Sequence, residues 1–117
     1  MKTHGTAVAF YRRPDGRLSG YRAEGHSGYA ESGYDIVCSA ISALTQSTLN
    51  GLNNVLHAPV MYEVDDDTAF IEVKLTPEAT DEQIGQAQIL LETLRQGLQA
   101  IERSYPRNVR IFFEERR

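Results

Sequence analysis

The stretch Ile84-Gly85-Gln86-Ala87-Gln88-Ile89-Leu90-Leu91-Glu92-Thr93-Leu94-Arg95-Gln96-Gly97-Leu98-Gln99-Ala100-Ile101 sets Ile84, Ala87, Leu91, Leu94, Leu98 and Ile101 at spacings of three and four. That period makes one apolar stripe on an otherwise polar helix, which has to be buried against another layer. Pro106 ends the helix. Its start has two candidates a turn apart: Thr76 as N-cap with Pro77 at the first helical position, or Thr80 with Gln83 as a capping box. Downstream, Asn108 to Glu114 with Val109-Arg110-Ile111-Phe112-Phe113 reads as a strand. Upstream, Val60 to Val64 and Phe70 to Leu75 are two strands joined through the acidic turn Asp65-Asp66-Asp67.

A second helix is expected from about Asp35 to His57, with Val37, Ile41, Leu44, Thr48, Leu52 and Val55 on one face and Pro59 barring its continuation. Before it, Ala7-Val8-Ala9-Phe10-Tyr11 and Leu18 to Ala23 flank the turn Pro14-Asp15-Gly16 and form a hairpin. In that hairpin's second strand, Leu18, Gly20 and Arg22 alternate against Ser19, Tyr21 and Ala23. The order is ββαββαβ, an α+β fold: a mixed or antiparallel sheet with two helices packed on one face. At 117 residues the whole chain, 1–117, has the size of one domain.

Lys and Arg number 12 against 16 Asp and Glu, for a formal net charge of −4, which lacks the basic excess that drives binding to phosphate backbones. Direct nucleic-acid binding is therefore disfavoured. A single cysteine makes no internal disulfide and suits a reducing compartment. No signal-like or membrane-spanning run is present, so a soluble cytoplasmic protein is expected.

Between hairpin and helix lies Gly25-His26-Ser27-Gly28-Tyr29-Ala30-Glu31-Ser32-Gly33-Tyr34-Asp35-Ile36-Val37-Cys38. It brings the only cysteine into or near the first turn of a helix, where unpaired N–H groups and the macrodipole favour a thiolate. His26, upstream in a glycine-rich loop, is a candidate base. Asp35 is a candidate N-cap or orienting group, and its own charge opposes a thiolate close by. Ser27 fails the Gly-x-Ser-x-Gly pattern because position 29 is Tyr, and the loop has no lysine for a phosphate cradle. His4, His26, His57 and Cys38 show no metal-ligand spacing, so neither a metal nor another cofactor is expected. Asp65 to Asp67 is most simply a solvated turn.

The blocks Gly25 to Glu31, Gly33 to Ser42 and Thr45 to Leu52, with Gln88, Leu90, Leu91, Gly97-Leu98, Ile101 and Tyr105-Pro106 further on, closely resemble the ribosomal-processing cysteine proteases, the Prp or YsxB-like family. The resemblance spans nearly the whole chain. It implies a cytoplasmic, homodimeric cysteine endopeptidase that removes the N-terminal extension of large-subunit ribosomal protein twenty-seven, cut after an aromatic-containing motif. It also implies Cys38 as nucleophile, His26 as general base, Asp35 as the family's aspartate, and Gly25, Gly28 and Gly33 as hinges of a loop that shifts for substrate. Tyr29 and Tyr34 are candidate walls of an apolar substrate pocket. Ser39 departs from the alanine common in the family. A competing reading makes the chain a non-catalytic adaptor that binds ribosomal protein through its sheet and dimer surface, with Cys38 as core. A thiol-dependent enzyme acting on small molecules is a third.

Overall fold

The computed structural model describes residues 5–25 and 36–116. Its elements run β1 (Thr6–Arg12), β2 (Leu18–Glu24), α1 (Ile36–Asn50), a π-helical turn (Gly51–Val55), β3 (Val60–Asp65), β4 (Phe70–Leu75), α2 (Asp81–Ser104) and β5 (Val109–Glu115). The strands form one sheet in the order β3-β4-β2-β1-β5. Only the β1–β5 pair is parallel, so the sheet is mixed, and the ββαββαβ order expected from the sequence is the one observed.

One core joins Val8 and Phe10 of β1, Tyr21 and Ala23 of β2, and Ile71 and Val73 of β4 to Val37 and Ile41 of α1 and Ala87, Leu91, Leu94 and Leu98 of α2. Both helices thus cover the same face of the sheet. In α2, Ile84, Ala87, Leu91, Leu94 and Leu98 are buried as the stripe predicts, and Ile101 is half-buried against the core. The capping box decides where α2 begins. Thr80 Oγ1 accepts from the Gln83 N–H at 3.1 Å, and the Gln83 side chain accepts from the Thr80 N–H at 2.9 Å. Two of the orphan donors of that helix end are satisfied at once.

The face of α1 differs from the expected one. Val37, Ile41, Thr45, Leu49 and Leu52 are buried, Leu44 and Thr48 are half-buried, and Val55 is 74% exposed. Thr45 enters the core because its hydroxyl donates to the Ile41 carbonyl at 2.9 Å, and its own carbonyl accepts the buried Tyr21 hydroxyl at 2.6 Å. No polar atom is stranded by that burial. Val55 turns outward because the chain leaves the α-helix at Asn50 for a π-helical turn, closed by the Leu56 N–H on the Gly51 carbonyl at 2.9 Å. A wider turn rotates the last residues off the stripe.

The expected alternation in β2 also breaks. Tyr11 pairs with Gly20 but Arg12 pairs with Leu18, so Ser19 is an extra residue, a β-bulge. It puts Leu18 on the same face as Tyr21 and Ala23, in the core rather than across from them. Gln88 of α2 secures the irregularity. Its Nε2 donates to the Leu18 carbonyl at 2.8 Å, and its Oε1 accepts from the Leu18 N–H at 2.7 Å. Gln88→Leu, close in volume but without polar atoms, leaves both Leu18 groups without a partner in a half-buried place. A loss of about 2 kcal/mol is expected, read as a lower denaturant midpoint at unchanged slope; an unaltered midpoint contradicts it.

The opposite sheet face carries a charged layer instead of helices. The Tyr11 hydroxyl donates to Glu72 and accepts from Arg22 Nη1 at 2.9 Å, while Arg116 stacks 4.2 Å from the Tyr11 ring centre. Burial, then the bond to Glu72, raises the Tyr11 pKa from 10.0 to about 12. The folded state therefore holds this proton more tightly than the unfolded chain. The associated stability is complete below pH 10 and is lost as pH rises towards 12. Tyr11→Phe is expected to flatten the fall of the melting midpoint across that window; an unchanged slope refutes the assignment.

Candidate active site

Cys38 is the third residue of α1, half-buried, with no acidic side chain in the helix's first turn. The thiol stands at the positive end of the α1 macrodipole. It lines a cleft of about 100 Å³ whose first wall is α1, through Cys38, Ile41, Ser42, Thr45 and Gln46. The other walls are the end of β2 (Ala23, Gly25), Thr6 at the start of β1, and the β3–β4 turn with its flanks: Val64, Asp65, Asp66, Ala69, Phe70 and Ile71.

The chain reaches this cleft at a fixed point. Gly25 has φ +91°, a backbone conformation that favours glycine, and a Cβ there would stand 2.7 Å from the Gly5 carbonyl oxygen. Its N–H donates to the Ala69 carbonyl at 3.2 Å, and its carbonyl accepts the Thr6 hydroxyl at 2.9 Å. Gly25, the residue immediately before His26 in the sequence, is therefore anchored from both sides at the cleft wall.

Of the residues singled out in the sequence, Cys38 and Gly25 come together in one cleft. His26, Gly28, Tyr29, Gly33, Tyr34 and Asp35 lie outside the described residues, as does His4. His57 is exposed just after the π-helical turn, with φ 54°. Among the described residues no group of three His, Cys, Asp or Glu side chains is placed to hold a metal ion.

The acidic turn is exposed, as a solvated turn should be, yet Asp65 and Asp66 also form cleft wall opposite the helix start. Their charge opposes, across the cleft, the positive end of α1. Nothing local in the sequence marks them for this position, since 26 residues lie between Cys38 and Asp65 and only the order β3-β4-β2 brings them round. Ser42 and Gln46, marked in the sequence only as part of the blocks that carry the resemblance, follow Cys38 by four and eight residues on the same helix face.

A family model described as cysteine protease Prp matches residues 6–110. The ribosomal processing cysteine protease Prp of Bacillus subtilis (strain 168) is 28% identical over 101 residues, covering 86% of this chain and 89% of that protein. Its counterpart from Staphylococcus aureus (strain Mu50 / ATCC 700699) is 27% identical over 100 residues, covering 86% and 91%. The crystal structure of an essential ribosomal processing protease Prp from S. aureus, in complex with a covalently linked product peptide, superposes with a TM-score of 0.81 at 26% identity over 93% of this chain and 99% of that one. The match to the family model covers the cleft, Cys38 and both helices, and the chain belongs to the cysteine protease Prp family, a cysteine-type endopeptidase.

Proposed function

We propose that this endopeptidase removes the N-terminal extension of large-subunit ribosomal protein twenty-seven, with Cys38 as nucleophile and His26 as general base. The observation that carries the proposal is the position of Cys38 in the first turn of α1, lining a cleft whose wall ends at Gly25, one residue before His26. In the proposed reaction His26 takes the thiol proton and Cys38 Sγ attacks the peptide carbonyl. The developing oxyanion is stabilised at the positive, N-terminal end of α1. The C–N bond breaks as His26 returns the proton to the leaving amine. Water, deprotonated by His26, then hydrolyses the thioester. Asp35 orients His26 or caps α1, Tyr29 and Tyr34 serve as walls of the substrate pocket, and Gly28 and Gly33 serve as hinges of the loop that carries them.

That the S. aureus Prp structure holds a covalently linked product peptide supports peptide chemistry of this kind. The names of the B. subtilis and S. aureus relatives support a ribosomal substrate. The cytoplasmic setting and the homodimer implied by the family resemblance belong to the same proposal. Incubating the protein with the source organism's own extended ribosomal protein, followed by product masses, tests it. One clipped product from the wild type and none from Cys38→Ala is expected; cleavage by both, or by neither, contradicts the assignment.

A further inference from the structure

Strand β3 is the last in the sheet, and among the described residues no strand lies beyond it. Which of its backbone groups point outward follows from the pairing. The Thr76 N–H donates to the Pro59 carbonyl at 2.9 Å, so Pro59 and Thr76 form a hydrogen-bonded pair one step below Val60 and Leu75. Hydrogen-bonded and non-hydrogen-bonded pairs alternate in an antiparallel ladder. Met61, Glu63 and Asp65 therefore spend their backbone bonds on β4, and Val60, Tyr62 and Val64 direct N–H and C=O groups away from the sheet. The other side of β4 agrees: Gly25 donates to Ala69, which puts Ala23–Ile71 and Tyr21–Val73 in the hydrogen-bonded set towards β2.

Apart from its acidic side chains, this edge lacks the usual protection. Its register is continuous, and between Val60 and Asp65 there is no proline, lysine or bulge of the kind that blunts edge strands in soluble proteins. Met61 is 60% exposed and Tyr62 56% exposed. The strand is also continuous with the cleft, because Val64 and Asp65 at its end are part of the wall facing Cys38.

We propose that the substrate polypeptide binds as an added β-strand along the outer edge of β3, bonding to the backbone of Tyr62 and Val64, and so enters the Cys38 cleft in extended form. This rests on the peptidase reading above and names how that site takes its substrate. Main-chain bonds supply affinity, and alternate side chains of the peptide lie over exposed Tyr62 and Val64. Charge decides between a peptide and a second copy of this chain as the occupant. From Val60 to Asp67 the edge and its turn carry Glu63, Asp65, Asp66 and Asp67 and no cation. Pairing two such edges brings like charges together, whereas a neutral or basic extended segment meets no such penalty.

The test uses a fluorescent synthetic peptide spanning the extension and the first mature residues of the ribosomal protein, titrated onto full-length Cys38→Ala protein, so that binding is read without cleavage. Tyr62→Pro and Val64→Pro each remove an outward N–H and leave the ladder to β4 intact. Each is expected to weaken binding about tenfold, while Tyr62→Pro, which lies outside the cleft lining, leaves the rate of Cys38 alkylation by iodoacetamide unchanged in the wild-type background. Peptides N-methylated one residue at a time are expected to lose affinity with a period of two, a readout that needs no change in the protein. Equal binding by the proline variants, an N-methyl scan without alternation, or no binding of the peptide at all overturns the proposal. So does a dimer that Tyr62→Pro dissociates with peptide affinity unchanged, which assigns the edge to a second copy. Whether the wild type cuts the same peptide is scored separately and bears on the peptidase reading alone.

Discussion

Cys38→Ala is expected to lower the cleavage rate by roughly four orders of magnitude or more, because in the proposed mechanism it removes the atom that forms the covalent intermediate. The fold should hardly notice. Cys38 is half-buried and lines an open cleft instead of filling the core, whose α1 positions are Val37, Ile41, Thr45, Leu49 and Leu52. Losing one sulfur from such a place costs about 1 kcal/mol or less, a shift of a few degrees in the melting midpoint of a domain this size. The two readouts together are diagnostic: progress curves by mass spectrometry should go flat while the thermal scan stays nearly superimposable. A variant that cuts within tenfold of the wild type removes Cys38 from the chemistry. One that is inert but has lost 10 °C or more instead makes the residue structural.

The helix layer was legible because its signal is local. Five of the six α2 positions named from spacing are fully buried and the sixth packs against the core, since one long stripe facing one sheet keeps a constant period. Where the structure departs from the sequence pattern, a residue-by-residue period had no means of registering the cause. Ser19 adds one residue to β2 and reverses the facing of Leu18; its support, Gln88, comes from a helix 70 residues away. Thr45 is polar in the sequence and buried in the fold: its hydroxyl donates to the Ile41 and Ser42 carbonyls of its own helix, and its carbonyl accepts the Tyr21 hydroxyl of β2, a partner no local period registers.

At the site, the position of Cys38 near a helix start was readable from type and spacing, whereas the anchoring of Gly25 by Ala69 and Thr6 was not. Nor was the facing wall. Asp65 and Asp66 reach the cleft only through strand order, which depends on how β4 docks on β2, a long-range choice. His26 and Asp35 rest on the sequence pattern and the family resemblance, since they lie outside the described residues.

Gly20→Ala is expected to destabilise the protein by about 3–4 kcal/mol and to lower its melting midpoint by ~10–20 °C. Gly20 pairs with Tyr11 on one side and Lys74 on the other, immediately after the bulge at Ser19. A Cβ placed there stands 2.2 Å from the Val73 carbonyl oxygen and 2.9 Å from the Lys74 Cα. Both atoms are backbone, so no side chain can swing away and the β2–β4 seam itself has to open. The cost is steric and not conformational. This seam carries the β3–β4 hairpin, hence Val64, Asp65 and the cleft wall facing Cys38, so cleavage should fall with stability instead of being spared. Gly85→Ala supplies the opposite sign. Gly85 is exposed in the first turns of α2, and a Cβ there meets nothing within 4 Å. The change removes a flexible residue from a helix and is expected to add about 0.5–1 kcal/mol. Thermal and denaturant melts of the two variants beside the wild type decide the matter. A Gly20→Ala midpoint within 2 °C of the wild type means that the seam yields to a methyl group, and the close approach of β2 to β4 is then not what fixes the cleft.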